Sequence, residues 1–135
     1  MTKTEQQIER DFYLLFKQSA LGAAIGGNVL RADEREDNAQ GEDLTVKFLA
    51  GRDSQVQSGV VVVNIYVPDI TNEQGRMVRN KPRIGELQAL LLQVVEGNTD
   101  NDYHIETDGS PASQKVEGIN QHSIFARIYF ERLNV

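Results

Sequence analysis

Apolar residues recur along this chain with two periods, and each change of period marks a change of element. Ile8, Phe12, Leu15 and Phe16 follow the i, i+4, i+7, i+8 spacing of one helix face, with Glu9, Arg10, Asp11, Lys17 and Gln18 on the wet side. Thr4 with Gln7 three residues on has the form of a capping box at the helix start. SALGAAIGG then carries Leu21 and Ile25 through a loose helical turn that Gly26 and Gly27 end. A short strand over 28–32 follows. Residues 31–43, RADEREDNAQGED, hold six acids and two arginines with almost nothing apolar, and predict a solvated loop.

The period then drops to two. Leu44, Val46 and Phe48 alternate with Thr45 and Lys47, a half-buried strand, and the turn over 50–54 leads into GVVVVNIYVPDI. That second strand does not alternate. Val61, Val63, Ile65 and Val67 share one face, while Val60, Val62 and Tyr66 lie opposite with only Asn64 between them. The pair predicts an antiparallel hairpin, ended by Pro68, which has no amide hydrogen for a central ladder. TNEQGRMVRNK reads as a loop, and Pro82 opens a helix with Ile84, Leu87, Leu90, Leu91, Val94 and Val95 inward and Gly97 as its stop. Tyr103 and Ile105 face one side of a further strand and His104, Glu106 and Asp108 the other, with 114–118 as its expected partner. A last strand over 122–133 turns Ile124, Ala126, Ile128 and Phe130 inward and Phe125, Arg127, Tyr129 and Glu131 outward.

These elements predict a single α+β domain over 1–135, a mainly antiparallel sheet with two helices on one face in the order α-β-β-β-α-β-β-β. No third helix is available for the second sheet face, which carries Val60, Val62, Tyr66, Phe125 and Tyr129. A contiguous aromatic and aliphatic patch of this kind marks an interface, and the expectation is that neighbouring subunits cover it.

Composition narrows the chemistry. With 39% apolar and 25% charged residues in a chain of 135, the sequence is that of a globular protein. The start MTKTEQQIERDF is charged where a secretory signal needs an apolar run, and no segment approaches the roughly 20 apolar residues of a membrane helix. The reading is therefore a protein made in the cytosol, without a membrane partner. There is no cysteine, which removes thiolate metal sites, disulfides and cysteine nucleophiles together. A net charge of -6 argues against a surface built to coat nucleic acid.

Candidate chemistry is sparse. His104, Glu106 and Asp108 bring three ligand types to one face of a strand, and a metal-dependent hydrolase built on them is one alternative; an exposed polar edge explains them as well. His122 reads as a packing residue at a strand start. Pro68-Asp69 resembles the opening of a metal-dependent nuclease signature, but no acid stands two residues before a lysine further on. Neither GxGxxG nor GxxxxGK[ST] occurs. The expectation is no enzyme, no cofactor and no metal. One charge feature stands out: Arg76, Arg79, Lys81 and Arg83 follow one another without an intervening acid, and suit contact with an acidic neighbour or passing DNA phosphate.

Taken together, the N-terminal helix running into SALGAAIGGNVL, the strand GVVVVNIYVPDI, the helix RIGELQALLLQVV and the strand SIFARIYFERL resemble the tail-terminator and tail-completion proteins of long-tailed bacteriophages, over about residues 5–133. The wording is most similar to versions from phages and prophages of Bacteroidetes-type hosts. The resemblance implies a non-catalytic virion protein that forms a ring, usually a hexamer, at the head-proximal end of the tail. There it would end tube growth and join the tail tube protein to a head connector or stopper, with DNA passing incidentally through the lumen. Under that reading Val62, Tyr66, Phe125 and Tyr129 are the candidate subunit contacts, and Arg76, Arg79, Lys81 and Arg83 the candidate tube or lumen contacts. Another head–tail connector protein and a monomeric partner-binding module are the remaining alternatives.

Overall fold

The computed structural model describes residues 1–99 and 102–134. Helix α1 (Glu5–Lys17) begins at the predicted capping box: Gln7 donates its amide to Thr4 Oγ1, and the Gln7 side chain accepts from the Thr4 amide. The predicted loose turn is a short helix, α2 (Ala20–Ala24), capped by Ser19. Strands β1 (Val29–Arg31), β2 (Asp43–Arg52) and β3 (Val56–Pro68) follow, then a ribbon of β4 (Ile70–Thr71) and β5 (Met77–Val78), helix α3 (Lys81–Glu96), and strands β6 (His104–Thr107), β7 (Ala112–Lys115) and β8 (Gln121–Leu133).

The class is α+β with a mainly antiparallel sheet, as the pattern predicts. Among the described residues the helices number three rather than two, and the element order gains the β4–β5 ribbon where a plain loop was expected. The main sheet runs β1-β2-β3-β8-β6, with β7 also on β8. β1 lies parallel to β2, and the other pairings are antiparallel.

Pairing of β6 with the segment after it does not occur. β6 pairs with Ile128–Glu131 of β8 and β7 with His122–Phe125. The reason is length: β8 has 13 residues, so one four-residue strand leaves most of its outer edge without hydrogen-bond partners, and the second strand extends the pairing along it.

The three helices build a single core with one sheet face. Ile8, Phe12, Phe16 and Leu21 from α1 and α2, and Ile84, Leu87 and Leu91 from α3, join Val61, Val63, Ile65, Val67, Ile124, Ile128 and Phe130. Phe12, Tyr103 and Phe130 form a ring trio with centroids 5.2–5.9 Å apart in tilted and edge-on geometry. Where β2 and β3 converge, Gly51 faces Gly59, and a β-bulge between Phe48 and Ala50 leaves Leu49 unpaired and exposed. A Cβ on Gly51 would come within 2.7 Å of the Phe48 ring, and one on Gly59 would collide with the Ala50 carbonyl and come within 2.9 Å of Phe130. The two glycines let both rings fold across the strands.

Two expectations about polar residues are corrected by burial. Glu9, placed on the wet side of α1, is only 6% exposed and receives Arg31 Nε at 2.9 Å. The loop over 31–43 is not simply solvated. Arg35 turns inward, donating to Asp43 Oδ2 at 2.9 Å, to the Ala39 and Gly41 carbonyls and to Gln121 Oε1. It thereby ties the loop to the sheet.

Candidate functional site

Two surfaces carry the candidate contact residues. The first is the sheet face turned away from the helices. By register it carries Lys47 and Ala50 on β2, Val60, Val62, Asn64 and Tyr66 on β3, and Ser123, Phe125, Arg127 and Tyr129 on β8. Val60 is opposite Tyr129, Asn64 opposite Phe125, and Phe125 opposite Ala112 of β7. Val60, Phe125 and Tyr129 are half-buried with no helix over them. Tyr129 donates its hydroxyl to Glu131 at 2.8 Å, and that bond raises its pKa above the ordinary tyrosine value.

The four residues singled out on this face have different surroundings. Phe125 and Tyr129 belong to the open patch. Val62 lies between Lys47 and Arg127 in register and is 5% exposed, because long side chains can lay their methylene stems over a small neighbour. Tyr66 is covered from within: the Arg35 guanidinium carbon stacks 3.8 Å from its ring centroid. The chain's own loop therefore closes one end of this face, while Val60, Phe125 and Tyr129 stay partly open.

The second surface is the β4–β5 ribbon with the start of α3. A groove of about 640 Å³ is lined by Ile70, Met77, Val78, Arg79, Lys81, Pro82 and His122. The ribbon turn is built by Asn72, whose Oδ1 accepts from the Gln74 and Arg76 amides, and by Gly75 at φ 78°. Asn80 caps α3 by accepting from the Arg83 amide. Below the groove His122 Nδ1 lies 2.6 Å from Asp69 Oδ1, and Lys115 Nζ lies 3.3 Å from Asp69 Oδ2. The Asp69 side chain is 1% exposed, so this is a buried, fully partnered carboxylate that anchors the ribbon's root to β8 and β7. Its partner was not readable from the sequence, where residues 69 and 122 are 53 positions apart.

The four predicted cations divide. Arg76 and Lys81 are exposed, and Arg79 is exposed while donating to Ser113 Oγ at 2.8 Å. Arg83 is engaged inside the chain. Its guanidinium donates to both carboxylate oxygens of Glu42 at 2.6 and 2.8 Å, to the Ala24 carbonyl at 2.6 Å and to Glu86 at 3.0 Å. This fork clamps α3 to α2 and to the start of β2, and it holds the Glu42 carboxyl below the ordinary carboxylate range.

His104, Glu106 and Asp108 do not converge. Asp108 turns to Arg127 at 3.3 Å, and among the described residues no three His, Asp or Glu side chains form a metal-holding group. No described helix is long and apolar enough to cross a membrane. The chain matches no protein-family model, and no curated protein matches it in sequence.

Proposed function

We propose that this chain is a ring-forming structural subunit of a virus tail, of the tail-terminator or head–tail joining kind, acting by geometry rather than by catalysis. The observation that carries the reading is the asymmetry of the sheet: all three helices join one face, and Val60, Phe125 and Tyr129 are left half-exposed on the other. A closed head-to-tail ring buries two different patches of each subunit, and the open sheet face supplies one of them. The exposed cations Arg76, Arg79 and Lys81 supply a distinct surface for the tube or the connector. Association draws on apolar burial of roughly 25 cal/mol per Å² before its entropic cost is met.

The test is electron microscopy of the purified protein mixed with the tail tubes of its own virus. A ring at one tube end and none along the sides is the expected image. Absence of any association with tubes, connectors or virions would overturn the reading.

A further inference from the structure

The groove between the β4–β5 ribbon and α3 combines features that a general contact surface does not need. Its walls are apolar, with Ile70 and Met77 exposed at 43% and 44% and Val78 and Pro82 beside them. Its rim is cationic. Arg79 and Lys81 line it and Arg76 stands on the ribbon turn, in a stretch from 76 to 83 that holds no acid. Of the acids near that rim in sequence, two are engaged elsewhere and one is not. Asp69 is buried against His122 and Lys115, and Glu86 is paired with Arg83, which leaves Glu73 in the ribbon turn. On a protein of net charge -6 this is a locally positive, apolar-floored trough.

From this combination we infer that the groove is a docking site for an acidic peptide segment of a partner protein, one that carries one or two large apolar side chains between its carboxylates. The carboxylates would meet Arg76, Arg79 and Lys81, and the apolar side chains would cover Ile70, Met77 and Val78. Charge complementarity chooses the sign of the occupant, and the apolar walls choose its class. Nucleic acid would present phosphates to the rim but has no use for an aliphatic floor. The groove's one aromatic ring, His122, is buried and bonded to Asp69, so it offers no open platform on which bases stack. A second copy of this chain fits poorly, because its acid-rich loop over 31–43 offers only Ala32 and Ala39 as apolar side chains. The ribbon is held at its root by the Asp69–His122 contact, so the groove is a preformed surface. This inference deepens the partner half of the function proposed above, and the two fail separately because the groove and the open sheet face can be altered independently.

The experiment is fluorescence anisotropy of the full chain with a labelled heptapeptide EELDFEE, set against EEGDGEE, QQLNFQQ and a seven-nucleotide oligothymidylate. EELDFEE is expected to bind at least about tenfold more tightly than any of the three, with Met77→Asp and Lys81→Glu each weakening it by about tenfold. Phe125→Glu, on the open sheet face, should leave that binding unchanged. Both groove positions are exposed, so these variants keep the fold, and circular dichroism checks it. Equal or tighter binding of EEGDGEE or oligothymidylate would make the groove a plain anion surface and overturn the proposal. So would loss of self-association on Met77→Asp, which would make a second copy the occupant. Absence of saturable binding by EELDFEE overturns it as well.

Discussion

Single side chains fix the joints of this molecule, and most of those joints are ion pairs reaching across the sequence. Arg83 is the clearest. Truncating it leaves the Glu42 carboxylate, whose side chain is 13% exposed, with only the Gly26 amide among its present partners. Arg83→Ala should therefore lower stability by about 2 kcal/mol, read from urea unfolding, because charged hydrogen bonds are lost and a carboxylate is left half-buried. The same pair sets a pH dependence. Glu42 is held below its ordinary value of 4.5, first by the Arg83 bonds. Asp102, bonded by Lys3, and Asp11, where bonds from Lys3 and Tyr103 outweigh the effect of burial, lie below 3.8. A depressed carboxylate contributes stability above its unfolded pKa and loses it as pH falls through the folded one. Stability should thus decline from about pH 5 downward, and Glu42→Gln should make that decline shallower. Urea midpoints at a series of pH values measure it; an unchanged slope would discount the pair.

Elements are placed by caps, by glycines and by unequal strand lengths. The Thr4–Gln7 box and the Asn80 cap start α1 and α3 where the sequence places them. The Gly51–Gly59 pair is a tighter constraint, since both positions lie beneath aromatic rings and neighbouring backbone. Gly59→Ala should cost about 1–3 kcal/mol, as overpacking does, although alanine suits a strand's dihedral angles. Thermal unfolding of that variant beside Gly85→Ala makes the comparison. Gly85 has no atom within 4 Å of an added Cβ and lies inside α3, where alanine is the better helix former. A loss of stability at both positions, or at neither, would contradict the packing account.

For the whole molecule the decisive property is that one sheet face is finished and the other is not. Phe125→Glu and Tyr129→Glu should leave unfolding unchanged within about 0.5 kcal/mol, since both side chains are already half in water. They should abolish self-association in sedimentation velocity if that face joins copies of the chain. Val62→Lys is the contrasting variant. At 5% exposure it should destabilise the fold itself, because a buried ammonium would be placed between the like charges of Lys47 and Arg127. Equal behaviour of the three variants would show that the face is uniform, against the division described between its covered and open parts.

The sequence by itself determined the class of fold, the two long helices, the β2–β3 hairpin, the β8 strand and the inward residues of each. Those features follow from local periodicity, caps and breakers, which act over a few residues and can be read one segment at a time. The short α2 and the β4–β5 ribbon carry too few residues for a period to show, and strand partners depend on edge length rather than on local pattern. The charge list over 76–83 is plain in the sequence, but it cannot tell the exposed Arg79 from the clamped Arg83. That difference comes from Glu42, 41 positions away. Likewise nothing near Tyr66 announces Arg35, and nothing near His122 announces Asp69. Tertiary structure decided these pairings because an ion pair or a stacked ring is formed in space. The identity of a charged residue fixes what it can bond to, and only the packed chain fixes which partner comes within reach.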